Sequence, residues 1–381
     1  MALRLRTDWV LFGAIVALVS LGLVMVYSAS SVMAEIKMKV ASTHFFVHQL
    51  VWAVASFFVL MYFKRKDYRD LKTPAWAFAS LGVVLVMLVG VYFLDTRTHR
   101  WFRIAGLGSI QPSEFAKPAL ILFLSFFITQ RSRIVNHRRT IMQAALALAV
   151  LAITVVVADL GTAMVLIGTA AMMFYVAGLE RRYFVAAMCA LAVFSFAAVI
   201  SKPYRVARLV GKFDPDYKIL DTIDPHGYVK HYVSESITTR DASYQARQSR
   251  IAVGSGGALG VGLMRGRQKI LYLPEAHTDF IYAVIGEELG LVGCTAVLAG
   301  FMVILWRGLR LYWIAPDDFG RFLALGVTSS IVLQALINMS VVLDIGPTKG
   351  IPLPMISAGG SSLLSTLMCL GMLMSVSGRS E

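Results

Sequence analysis

The chain has 381 residues, 57% of them hydrophobic, a mean hydropathy of +0.70 and a formal net charge of +14. Soluble domains average about 45–50% apolar. Here the apolar residues come in blocks, which sets aside a soluble enzyme or nucleic-acid binder and predicts an all-α polytopic membrane protein whose positive charge serves topology and anionic lipid.

Ten membrane spans are expected, at 8–33, 44–63, 75–94, 114–130, 140–158, 161–179, 183–201, 280–306, 321–343 and 355–377. The first follows a basic start, MALRLR, without a small-residue cleavage site, and reads as a retained helix. Loops KRKDYRDLK (64–72), RSRIVNHRR (131–139), LERR (179–182) and the segment 306–321 are rich in Lys and Arg. They fall on one side of an alternating topology, which predicts both termini in the cytoplasm. Spans seven and eight are separated by a long extracytoplasmic loop, 202–279, which carries aromatics, acids and glycines and is not low-complexity. Cys189, Cys294 and Cys369 lie in apolar runs, without metal-ligand spacing or a disulfide framework.

Ionisable residues gather at the predicted outer ends of the spans. In QPSEFAK (111–117), Pro112 suits a first helical turn, and Gln111 or Ser113 could cap it. Glu114 and Lys117 are i, i+3 neighbours, either a helix pair or, for Lys117, an anion ligand. Asp159 in ADLGT reads as an N-cap of span six. Lys349 in GPTKGIPLP precedes SAGGSS, which contains Ser361 and whose small residues suit close helix packing. GSGGALGVG (254–262) lacks the order of a P-loop and of a dinucleotide fingerprint. Its glycines suit tight turns or a close approach of backbone to a ligand. Arg205, Arg208, Arg247, Arg250, Arg265, Arg267 and Lys269 surround it on the outer side, as a lipid-linked diphosphate substrate or lipid headgroups would require.

LPEAHTDFIYAVIGEELG (273–290) carries five ionisable groups. Asp279 stands where the long loop meets span eight, as an N-cap, as a carboxylate that accepts a proton at the membrane edge, or as both. Glu275 and His277 read as solvated groups or local hydrogen-bond partners. Glu287 and Glu288 lie about 12–13 Å deeper. They call for a cation, a polar cavity or a proton, and pairing with a neighbouring helix is favoured.

MVYSAS (25–30), QPSEFAK (111–117), DLGTA (159–163), YQARQSRIAVGSGGALGVG (244–262), YLPEAHTDFIYAVIGEELGLVG (272–293) and PTKGIPLPMISAGGSS (347–362) together resemble the SEDS family, the FtsW/RodA proteins, with LPEAHTDF nearer the FtsW branch. The resemblance covers essentially the whole chain as one membrane domain, 1–381. It implies a ten-span fold in the cytoplasmic (inner) membrane and a peptidoglycan glycosyltransferase that polymerises lipid II on the outer face in division or elongation. It implies Asp279 as the essential carboxylate, with supporting roles for Lys117, Asp159, Lys349, Arg205 and Arg208. Glu114, His277 and Ser361, in the same motifs, are candidate substrate contacts. It implies a class B penicillin-binding protein as partner and, in the division branch, further divisome proteins; the substrates would be lipid II and an undecaprenyl-diphosphate-linked glycan. The chemistry expected is a single in-line inverting displacement. Asp279 would act as the base or as ligand of a divalent cation, Mg or Mn, and no organic cofactor is needed. Two readings from other classes stand beside it: a lipid II flippase using Glu287 and Glu288 for proton coupling, and a scaffold for the penicillin-binding protein. The chain departs from the family in an apparent insertion within 212–243, and in Ala358 where Tyr is common.

Overall fold

The computed structural model describes residues 7–96, 98–104, 108–200, 206, 238–270, 272–346 and 350–380. Helices occupy every segment expected to cross the membrane: α1 (Trp9–Ile36), α2 (His44–Arg65), α3 (Pro74–Leu94), α4 (Pro112–Gln130), α5 (Arg138–Ala158), α6 (Leu160–Val176) and α7 (Arg181–Ile200). After the long loop's own helix, α8 (Thr238–Gly256), come α9 (Ile281–Ile314), α10 (Asp318–Val342) and α11 (Gly360–Ser380). Among the described residues, eight helices are long and apolar enough to cross a bilayer, and α6 is a shorter apolar helix. Among the described residues one strand pair, β1 (Phe102–Ile104) and β2 (Gly108–Ile110), forms an antiparallel hairpin between α3 and α4.

Helix starts follow local chemistry. The Asp8 carboxylate accepts from Leu11 N–H at 3.0 Å and caps α1; Thr73 caps α3 just ahead of Pro74. Nearly every side chain of α4 is buried, as are most of α10 and α11, so these three form the centre of the bundle. The other long helices keep one apolar face outward, with Phe58, Val86, Phe93 and Trp313 exposed, as lipid contact requires. Pairings between non-adjacent segments close one end of the bundle. Arg307 binds Asp8 at 2.6 Å, Arg379 binds Asp67 at 3.0 Å, and the Tyr68 hydroxyl donates to Asp317 at 2.5 Å. All six belong to segments or helix ends that the charge pattern assigns to the cytoplasm.

Two sequence expectations change and a third is sharpened. Span eight is longer than 280–306, because α9 runs to Ile314 and is broken at Gly290 (φ 64°, ψ −160°). Span ten does not start at 355; Gly350–Gly359 is a non-helical segment laid across the top of the bundle. The glycines of 254–262 do make turns, with positive φ at Gly257, Gly260 and Gly262, and two of them also let the chain approach a helix closely. A β-carbon at Gly256 or Gly260 would strike the α9 backbone at Gly286 or Glu288. This contact lets Val261 and Gly262 N–H donate to Glu287 and Glu288 carbonyls (both 3.0 Å), while Leu291 and Val292 N–H donate to Gly257 and Ala258 carbonyls (2.9 and 3.2 Å). The loop thus satisfies backbone groups that the break in α9 releases.

Candidate functional site

The end of the bundle opposite the Asp8–Arg307 pair gathers most of the predicted residues. Asp279 lies in the turn just before α9 and is half-buried. It does not cap that helix: Phe280 occupies the N-cap position, with no side-chain cap bond. Its carboxylate faces the backbone of Gly350, where a β-carbon would collide with it. The next residues of that segment reach the other predicted groups. Ile351 packs on Gly161, beside Asp159. The Pro352 carbonyl accepts from Gln334 Nε2 at 2.8 Å, and Gln334 Oε1 accepts from Lys117 Nζ at 2.6 Å. Lys117 also donates to Glu114 at 2.7 Å, and both side chains are buried. Three consecutive residues, Gly350 to Pro352, therefore touch or approach the surroundings of Asp279, Asp159 and Lys117.

Asp159 caps α6 by accepting from Gly161 N–H at 2.9 Å, and it does more than cap. It binds Arg100 at 2.9 Å, accepts from the Thr162 hydroxyl at 2.7 Å and lies 3.4 Å from the Gln111 amide. Arg100 projects from the turn before the β1–β2 hairpin. Asp95 organises that turn by accepting from Arg100 and Trp101 N–H, both at 3.2 Å, and from the Thr98 hydroxyl. The Thr98 hydroxyl, followed by the backbone N–H of Arg100, holds the Asp95 carboxyl well below the usual carboxylate range. Ser361 accepts from Gln111 N–H at 3.3 Å, tying the start of α4 to the start of α11. Gln111 is the N-cap residue of α4, but its side chain makes no cap bond and donates to Ser113 Oγ at 2.9 Å instead.

His277 is buried against Phe45, with ring centroids 4.9 Å apart, and its Nδ1 has no hydrogen-bond partner. Burial lowers its pKa, and the nearby Glu275 opposes that only in part, so the imidazole is neutral near pH 7. It is not the solvated loop group that the sequence reading allowed, since the ring is buried. Glu275 is exposed and accepts from Thr278 Oγ1 at 2.9 Å. Arg205, Arg208 and Lys349 lie outside the described residues, as does most of the insertion.

The deeper acids make a separate cluster. Glu288 accepts from Lys269 Nζ at 2.5 Å and from Ser28 Oγ of α1 at 2.6 Å; Met264 N–H donates to it at 3.1 Å. Glu287 accepts from Arg267 and Gln268 N–H at 2.7 and 3.2 Å. These carboxylates anchor the glycine-rich loop to the break in α9. The residues that sequence reasoning missed are Arg100, Gln49, Gln334 and Asn338. For the last two a signal existed: two amides four residues apart on one face of an otherwise apolar helix. Among the described residues no group of three His, Cys, Asp or Glu side chains is placed to hold a metal.

The geometry has relatives. A family model for cell cycle proteins, FTSW_RODA_SPOVE, matches residues 8–381. The chain is 36% identical over 379 residues to a probable peptidoglycan glycosyltransferase FtsW of Geobacter metallireducens, covering 98% of this chain and 95% of that one. It is 38% identical over 368 residues to stage V sporulation protein E of Bacillus subtilis, covering 94% of each. Among solved structures, a chain of a peptidoglycan synthase complex that coordinates polymerization and crosslinking superposes with a TM-score of 0.74 at 25% identity, covering 98% of both chains. Rod shape determining protein RodA of Thermus thermophilus shares the fold, with a TM-score of 0.67 at 23% identity over 98% of this chain and 97% of its own.

Proposed function

Because the chain belongs to the FtsW/RodA/SpoVE family of cell cycle proteins, we infer that it is a peptidoglycan glycosyltransferase, of the FtsW kind that serves cell division. It is a multi-pass membrane protein, and we read its ten apolar helices as ten crossings of the inner membrane with both termini in the cytoplasm. The substrates are lipid II and a growing glycan on undecaprenyl diphosphate, and joining them inverts the anomeric carbon. One observation carries the site assignment: Asp279 stands half-buried against Gly350, on the segment whose next residues reach Asp159 and Lys117.

In this reading Asp279 takes the proton from the attacking sugar hydroxyl, a step that typically contributes about 10²–10⁴-fold. Arg205, Arg208 and Lys349 meet the charge that develops on the departing diphosphate. Lys117 acts from behind. Two of its three N–H groups are used by Glu114 and Gln334, and through Gln334 it braces the Pro352 carbonyl, with one N–H left toward the site. A divalent cation, Mg or Mn, fits only if it shares Asp279 with diphosphate oxygens and water, since one or two carboxylates suffice for such ions on phosphate substrates; bound there, it would offset diphosphate charge. Association with a class B penicillin-binding protein is supported by the resemblance of this chain to a member of a polymerising and crosslinking complex. The flippase reading loses its motive, because Glu287 and Glu288 are engaged by Lys269, Ser28 and loop N–H groups.

The test is polymerisation of labelled lipid II by the reconstituted full chain with its partner. Asp279→Asn should lower turnover at least about 100-fold while membrane insertion and melting stay at wild type. Full turnover by that variant would remove Asp279 from the chemistry.

A further inference from the structure

We propose that Asn338, on α10, is a positioning residue that sets where the Asp279 carboxylate stands. The inference rests on Asp279 being the reacting carboxylate. Three successive carbonyls of the His277–Asp279 turn are each held by a different donor. Ala358 N–H donates to His277 O at 2.9 Å, the Ser357 hydroxyl to Thr278 O at 2.6 Å, and Asn338 Nδ2 to Asp279 O at 2.8 Å. A turn fixed at three consecutive peptides has little freedom left to move the main chain from which its last side chain projects.

Asn338 carries the most specific of these bonds. Its single amide nitrogen also donates to the Ile351 carbonyl at 2.6 Å. Ile351 follows Gly350, the residue against which the Asp279 carboxylate rests. One NH₂ group therefore fixes both sides of the gap: the main chain that bears the carboxylate, and the main chain that forms its wall. The two carbonyls also set the orientation of the amide, because turning it over would oppose oxygen to oxygen. The other end of Asn338 is unsatisfied: the residue is 1% exposed and its Oδ1 has no partner. Leaving a buried amide oxygen unpaired costs stability. What fixes Asn338 is its pair of donor bonds, and both bear on Asp279. Ser357 completes the device. It accepts from Leu353 N–H at 2.8 Å and its own carbonyl accepts from Gln49 Nε2 at 3.3 Å, which ties the same segment to α2.

A reacting group displaced by about 1 Å loses on the order of 100-fold in rate, whereas substrate affinity depends on the rest of the site. The experiment compares Asn338→Ala, Asp279→Asn and the double variant in whichever reconstitution supports wild-type lipid II polymerisation, measuring kcat, KM and the melting temperature. Asn338→Ala should lower kcat about 10–100-fold, with KM within about twofold and no matching loss of folded protein. In the Asp279→Asn background it should add no further loss. Wild-type kcat in Asn338→Ala, a defect confined to KM, or a loss that only tracks the unfolded fraction would overturn the inference. Should Asn338→Ala fail to fold, the near-isosteric Asn338→Leu removes the same two donors without opening a cavity and should lower kcat by a similar factor at constant KM; unchanged kcat there would overturn the inference equally. If Asp279→Asn itself keeps full turnover, the reading of the carboxylate fails first. If Asp279→Asn is inactive and Asn338→Ala is fully active, only the positioning role fails.

Discussion

At Gly350 the lack of a side chain is what gives the Asp279 carboxylate its place, since a methyl group there would collide with it. Gly350→Ala should therefore reduce polymerisation at least about tenfold, with little change in melting. Gly359→Ala, on the same segment, meets only Ser362 at ordinary contact distance (3.7 Å) and should be close to wild type, so a kcat comparison of the two isolates the steric effect. His277 offers a test by pH. Its folded pKa lies below the ordinary imidazole value because burial disfavours the cation. The unfolded chain then binds more protons through that window, and the stabilising contribution, fully present above about pH 6.5, is lost as pH falls toward the folded pKa. Melting temperature should thus drop more between pH 7.5 and pH 5.5 in the wild type than in His277→Phe; equal slopes would remove His277 as the cause. The chemistry-bearing residue types were legible in the sequence because acids and cations stand out among apolar runs. Their partners were not. Asp279 meets Asn338 across 59 residues, and Gln49 meets Ser357 across 308. Nothing local marks such pairs.

Among the elements, α9 shows where sequence pattern ends and packing begins. Its apolar run predicts a single helix, and the break at Gly290 is invisible in hydropathy because Gly occurs often in membrane helices. What makes the break tolerable is the 257–262 loop, whose own glycines let two backbones exchange hydrogen bonds. Lys269 and Glu288, both almost fully buried, then fasten the loop to the helix. Glu288→Gln leaves a buried ammonium without its counter-charge and should destabilise by about 3–5 kcal/mol. The double variant Glu288→Gln with Lys269→Met should cost clearly less than the single change, as read by melting in detergent or nanodiscs. Additive losses would mean that the two side chains do not act as a pair. Gly260→Ala places a β-carbon against the Glu288 carbonyl at a positive φ, and should be destabilising by about 1–3 kcal/mol for the same reason that the sequence carries glycine there.

For the molecule as a whole, blocks of apolar residues and basic loops were enough to locate the apolar helices, because a bilayer imposes length and hydropathy locally, whereas the polar α8 inside the long loop went unread. The order of helices in the bundle was not readable: that α4, α10 and α11 form its centre depends on which faces carry small and polar residues, and three faces of a buried helix look alike in sequence. The orientation can be checked directly. With Cys189, Cys294 and Cys369 replaced, Tyr272→Cys should react with a membrane-impermeant maleimide added outside intact spheroplasts, since Tyr272 is exposed beside the Asp279 turn. Labelling only after lysis would invert the topology. The clamp on that turn has one more consequence, in the order of synthesis. Asp279 emerges from the ribosome well before Asn338, Ser357 and Ala358, which hold its peptides in place. A nascent or truncated chain ending after α9 would carry the Asp279 carboxylate on a turn without these three bonds. On the role proposed for Asp279, competence for polymerisation would arrive only once α10 and the segment leading into α11 are in place, so these late-made elements would work as a completion check on the enzyme.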